Sequence, residues 1–88
     1  MNDTKYNGWT NYATWRVNLE IFDGWSSEHI ESLTMQRTVT QERLAIEIED
    51  YARGLIEEQS QGLAFDYANA FLSEVNWHEI AKSMLESV

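Results

Sequence analysis

Not one cysteine and not one proline occurs in the 88 residues. The first absence excludes disulfides, thiolate metal sites and cysteine nucleophiles, so a chain this short must be held by side-chain packing alone. The second leaves helix ends to be marked by capping side chains and by four glycines, Gly8, Gly24, Gly54 and Gly62. Packing material is plentiful. The chain is 43% hydrophobic, with three Phe, four Tyr and four Trp, too apolar for disorder and enough for one core. Two domains of half this length would each fall short, so residues 1–88 are read as a single domain.

The hydrophobic spacing is helical throughout. Residues 1–9 read as an extended arm, with Asn7-Gly8 as a turn signal. Thr10 or Asn11 can cap a first helix running to about Asp23, on which Tyr12, Trp15, Leu19 and Phe22 form the expected buried stripe, with Gly24 as the stop. Ser26 or Ser27 begins a second, shorter helix, with Glu28 and Glu31 suiting its dipole and Ile30 and Leu33 its apolar edge. Residues 33–40 read as a loop. Thr40 caps a long helix to about residue 60, with Leu44, Ile48, Tyr51 and Leu55 as its stripe and Ala52 and Ile56 widening it. Gly54 inside that helix costs about 1 kcal/mol relative to Ala, to be offset by packing or by a close approach. A fourth helix follows Gly62, over about 63–74, with Ala64, Ala68, Phe71 and Leu72 on one side. In the last, Asn76 caps and Glu79 closes a capping box ahead of Trp77, Ile80, Ala81, Met84 and Leu85. The expected fold is a compact all-α domain of four to five short helices with an extended N-terminal arm.

Charge narrows function further. Fifteen Asp and Glu stand against six Lys and Arg, a net charge of −9. Direct binding to nucleic acid or to an anionic membrane is disfavoured, because both need a cationic face. The excess acid serves solubility, or it docks onto a basic protein surface. On the long helix Glu47, Asp50, Glu57 and Glu58 gather toward one face, interrupted by Arg43 and Arg53. Like charges three or four positions apart lie roughly 5 Å apart along the axis, so acids from two helices can imitate a DNA backbone.

Catalytic and metal chemistry find little support. There is no glycine-rich phosphate loop and no nucleophile–base motif. His29, in "SEHIE", reads as a solvated helix residue, and His78, beside Trp77, as packed or exposed. Glu74 and His78 are four apart but straddle the expected helix break at Asn76, and no further ligand stands at motif spacing. The expectation is a non-enzyme, with no catalytic residue, no metal ligand and no cofactor. "MNDTKYNGW" lacks the basic start and apolar run of a secretion signal, and no stretch approaches the roughly 20 apolar residues of a membrane span, so a cytoplasmic protein is expected.

The densest aromatic stretch is "YNGWTNYATW", residues 6–15. Trp15 falls on the helix stripe. Trp9 and Tyr6 lie outside it and either staple the first helix or remain a contact surface; Asn7 and Asn11, as turn and cap residues, favour a structural lid.

This stretch, with "VNLEI" after it and "FLSEVNWHEIAKSMLE" near the C-terminus, resembles a family of small phage and mobile-element proteins that carry "NGWTNYETWNVALWI" and "VNWREIAEHLLE". Asn7, Gly8, Trp9, Thr10, Asn11, Tyr12, Thr14 and Trp15 agree with the first motif, and Val75, Asn76, Trp77, Glu79, Ile80 and Ala81 with the second. Ala13 stands where the family often has Glu, and Arg16 where it has Asn. The resemblance implies a bacterial host cell and an anti-defence context, in which small acidic proteins block restriction or CRISPR effectors. The leading expectation is therefore an inhibitor that binds a host nucleic-acid-handling protein by its basic surface. Glu47, Asp50, Glu57 and Glu58 would supply charge contacts, with Trp9 and Tyr6 as anchors. The alternative is a structural or housekeeping interaction module without enzymatic activity.

Overall fold

Capping side chains set the helix starts. The computed structural model describes residues 6–87; residues 1–5 of the expected arm lie outside that range. Asn11 opens α1, Tyr12–Val17, which runs directly into a π-helical turn, Asn18–Phe22. Ser26 precedes α2, Ser27–Thr34, and Thr40 precedes α3, Gln41–Gln59, its hydroxyl accepting the Arg43 amide N–H at 3.1 Å. Gly62 leads into α4, Leu63–Leu72, and Asn76 into α5, Trp77–Ser87. Among the described residues the only β pairing is an isolated bridge between Tyr6 and Trp9. The all-α expectation is met.

The arm is a tight turn over residues 6–9. Asn7 and Gly8 both have positive φ, 50° and 88°, the pairing of a type I′ turn, which an Asn-Gly sequence supplies at least strain. Tyr6 and Trp9 exchange both backbone hydrogen bonds across it, at 2.7 and 2.8 Å.

The first helix departs from its expected stripe. Leu19 is 47% exposed and Tyr12 42%, Trp15 is half-buried, and Ala13, Thr14 and Val17 face the core instead. Tyr12 and Trp15 pack against Tyr6 of the arm, and beyond Val17 the π turn accounts for the rest. Its i→i+5 bonding aligns positions five apart, so Val17 and Phe22 both point inward while Leu19 turns out. A 3.6-residue reading cannot see that change of phase.

One core joins all five helices. The principal interface is α3 against α5, where α3 buries Leu44, Ala45, Ile48 and Ala52 and α5 buries Trp77, Ile80, Ala81 and Met84. Three alanines in that set let the two backbones approach while Leu44, Ile48 and Ile80 fill the space between. The α5 stripe matches its expectation. On α3, Tyr51 departs: it sits at the core's edge, exposed, in edge-to-face contact with Trp25 at 5.4 Å. Val39 is buried and anchors the loop over residues 35–40.

Candidate docking surface

The residues 6–15 segment folds onto the start of α5, and polar groups make the joint. Asn11 Oδ1 accepts from the Thr14 amide at 2.9 Å and from the Thr14 hydroxyl at 2.7 Å, capping α1. The same hydroxyl accepts the Asn76 amide N–H at 2.9 Å. Asn76 Oδ1 accepts the Glu79 amide at 3.1 Å, capping α5, and its Nδ2 donates to Thr10 Oγ1 at 3.2 Å. Thr10 N–H donates to Glu79 Oε1 at 3.0 Å, and Asn11 Nδ2 to the Glu74 carbonyl at 2.8 Å. The expected capping box is thus shared between two chain segments. Glu79 reaches the arm instead of its own cap residue, and Thr14, fully buried, takes the amide that Glu79 would have taken.

Above this joint the aromatic rings form a lid. Trp9 packs half-buried on the core beside α5. Tyr6 remains exposed, with its ring 4.8 Å from Trp15 and 5.1 Å from Tyr12. The aromatic stretch is therefore mainly a lid, and of the two candidate anchors only Tyr6 keeps a large open face.

The acidic candidates all lie on α3. At 100° per residue Glu47, Asp50, Glu57 and Glu58 span an arc of roughly 100°, away from the buried Leu44, Ile48 and Ala52. Asp50, Glu57 and Glu58 are exposed and take part in no ion pair among the described residues. Glu47 differs. Arg43 Nε holds its Oε2 at 2.8 Å, and its side chain is only 22% exposed, so its charge is largely spent. Arg53 pairs with Glu49 at 2.9 Å and also donates to Asn69 Oδ1 on α4 at 3.0 Å. Arg16 pairs with Glu20, and the Tyr12 hydroxyl, with Glu20 behind it, pushes the Arg16 pKa further up. Three of the six cations are consumed within single helices, which leaves the acidic excess facing solvent. Gly54 lies within the acidic arc, and a Cβ there would meet nothing within 4 Å; no close approach within the described chain accounts for it.

Neither histidine joins a catalytic arrangement among the described residues. His29 Nδ1 accepts the Ser26 amide at 3.0 Å and lies 2.9 Å from its hydroxyl, so it serves the start of α2. His78 is exposed, and no hydrogen bond connects it to Glu74. No group of three His, Asp or Glu among the described residues could hold a metal ion, and no described helix is long and apolar enough to cross a membrane. A cleft of about 480 Å³ lies between the π turn, the start of α2 and the end of α5, with Asn18, Trp25, Ser26 and Ser83 on its walls.

A family model described as a family of unknown function, DUF7249, matches residues 2–87. The chain belongs to this family. No curated protein and no solved structure matches it.

In this DUF7249 member the sequence reading missed two surfaces. The cleft beside the π turn is built from serines and an asparagine that have no motif spacing. On α4 the expectation put Ala64, Ala68, Phe71 and Leu72 on one apolar side, but Ala64 and Phe71 are exposed, Ala68 is half-covered, and only Leu72 of the helix is buried. The signal was present in "LAFDYANAFL", a helix with one charge and no polar face to tell outside from inside.

Proposed function

We propose that this protein is a non-enzymatic docking protein that binds a basic, nucleic-acid-handling host protein through the outer face of α3. The supporting observation is the state of the carboxylates there. Asp50, Glu57 and Glu58 are exposed and unpaired among the described residues, on a rigid 19-residue helix whose opposite side is fixed in the core. Rigid, desolvation-ready charge favours association with a surface of opposite sign and speeds encounter. Glu47 contributes less, because docking would first have to break its pair with Arg43. Tyr6, exposed with its ring against Tyr12 and Trp15, supplies an aromatic contact of its own, while Trp9 packs on the core. The resemblance to small phage and mobile-element proteins supports an anti-defence setting in a bacterial cytoplasm, with partial DNA mimicry as the mode of blocking.

The test is affinity capture from host lysate with wild type and with Asp50→Lys/Glu57→Lys/Glu58→Lys, washed at low and high salt. The expected result is a nucleic-acid-binding protein retained at low salt, released at high salt, displaced by duplex DNA and absent with the charge-reversed variant. A partner held equally by both proteins at both salts removes the acidic face from the interface. An empty capture favours the structural-module alternative, which the uncharged outer face of α4 supports.

A further inference from the structure

Helix α4 has the composition of a buried helix and the exposure of a surface one. Asp66 is the single charge in its ten residues, and Leu72 the single buried side chain. Leu63 is 65% exposed and Tyr67 69%. At 100° per residue, Leu63, Ala64, Tyr67, Ala70 and Phe71 share an arc of roughly 120°, with Asp66 at its edge. Their spacings of three and four are those of a helix–helix seam. The Tyr12 ring, 6.3 Å from Phe71, carries the surface onward to the aromatic lid. With large side chains offering about 150–250 Å² each, the exposed parts of this patch amount to roughly 500 Å². That is at the upper end for a monomer's largest apolar patch and approaches the ~800 Å² per partner of a stable interface once a polar rim is added.

We infer that α4 is a homodimer interface, packing against α4 of a second copy about a twofold axis. Charge selects this occupant. Each chain carries a net charge of −9, so two copies repel across any acidic face, and α4 presents the seam free of carboxylates. A basic partner would find no counter-charge there. An isologous antiparallel pairing places Tyr67, midway between Leu63 and Phe71, beside its own symmetry mate, while Ala64 and Ala70 allow the helices to approach closely. Asp66 stays at the rim, in water.

Sedimentation equilibrium of the full chain, from sub-micromolar to several hundred micromolar at low and high salt, tests this. The expected result is a dimer whose dissociation constant is unchanged or tighter at high salt, since salt screens the repulsion between copies. That response is opposite in sign to the proposed docking of α3 on a basic partner, so the two readings fail separately. Tyr67→Glu and Leu63→Glu should each weaken the dimer by at least about tenfold, because each places a charge in the seam. Both side chains are exposed in the single chain, and a carboxylate at position 63 suits the first turn of the helix, so far-UV circular dichroism should be unchanged. As a second readout, Tyr67→Cys in this cysteine-free chain, with dissolved dioxygen added as the oxidant that takes up the two electrons and two protons, should form a disulfide-linked dimer at micromolar concentration, while Asp50→Cys on α3 should not. A chain that stays monomeric over the whole range overturns the inference. So does a dimer indifferent to both glutamates, or equal crosslinking at positions 67 and 50.

Discussion

Helices α3 and α4 lie against each other and bury themselves to very different extents. α3 sinks Leu44, Ala45, Ile48 and Ala52 into the core and turns carboxylates to water, with Arg43 and Arg53 pinning two of its acids. α4 is richer in apolar residues, yet it buries Leu72 alone and leaves Leu63 and Tyr67 in solvent. The difference is one of completeness. The apolar side of α3 is satisfied within the chain and its outer side carries charge that water solvates, whereas the outer face of α4 is left without the apolar neighbour its composition calls for. Composition therefore misleads about where stability resides: the more polar helix carries the core.

Substitutions can break that contrast. The largest effect is expected at Ile48, fully buried between α3 and α5. Ile48→Ala should cost about 2–5 kcal/mol in a urea titration, through lost transfer energy and the cavity left behind. A cost under 1 kcal/mol would mean that α3 is not the core helix. Next comes the joint between the arm and α5, a second region that closes on itself. Thr14→Val keeps the shape but leaves the Asn76 amide without its acceptor and removes a donor from Asn11, for an expected loss of about 1–3 kcal/mol. Gly54→Ala should act in the other direction. The position is helical and the space above it is open, so a gain of about 0.5–1 kcal/mol is expected by thermal denaturation. If that variant instead loses partner capture while gaining stability, the glycine marks where a bound surface approaches α3 closely. The smallest effect belongs to α4: Tyr67→Gln, measured at sub-micromolar concentration, should change stability by less than about 0.5 kcal/mol. A loss comparable to that at Ile48 would erase the distinction between the two helices.

Local physics was the legible part of the sequence. Asn11, Ser26, Thr40 and Asn76 each stand immediately before a helix because a cap depends only on residues two or three positions on. The α5 stripe was readable for the same reason, with apolar and polar positions cleanly separated. The α1 stripe was not, since Tyr12 and Trp15 turn to the arm's Tyr6 and the π turn then shifts phase between Val17 and Phe22 without any glycine or proline to announce it. α4 offered too few polar residues to fix which side faces in. The partner of Glu79 lies 69 positions away at Thr10, beyond the reach of any local pattern. The acidic arc on α3 could be drawn from spacing alone, and the Arg43–Glu47 pairing four residues apart could have been read there too, setting Glu47 apart from Asp50, Glu57 and Glu58.

The joint at Thr14 and Asn76 also has a kinetic meaning. Its cross-links span 62 to 69 residues of chain, so closing it early would cost loop entropy before any other contact repaid it. The helices and the α3–α5 pairing rest on contacts nearer in sequence, so the joint is expected to close over them afterwards. A contact absent from the transition state acts on the way out: it slows unfolding and leaves the folding rate alone. Thr14→Val should therefore steepen escape from the native state while refolding proceeds at its former pace, which makes the four hydrogen bonds across the joint the latch on how long the folded molecule lasts.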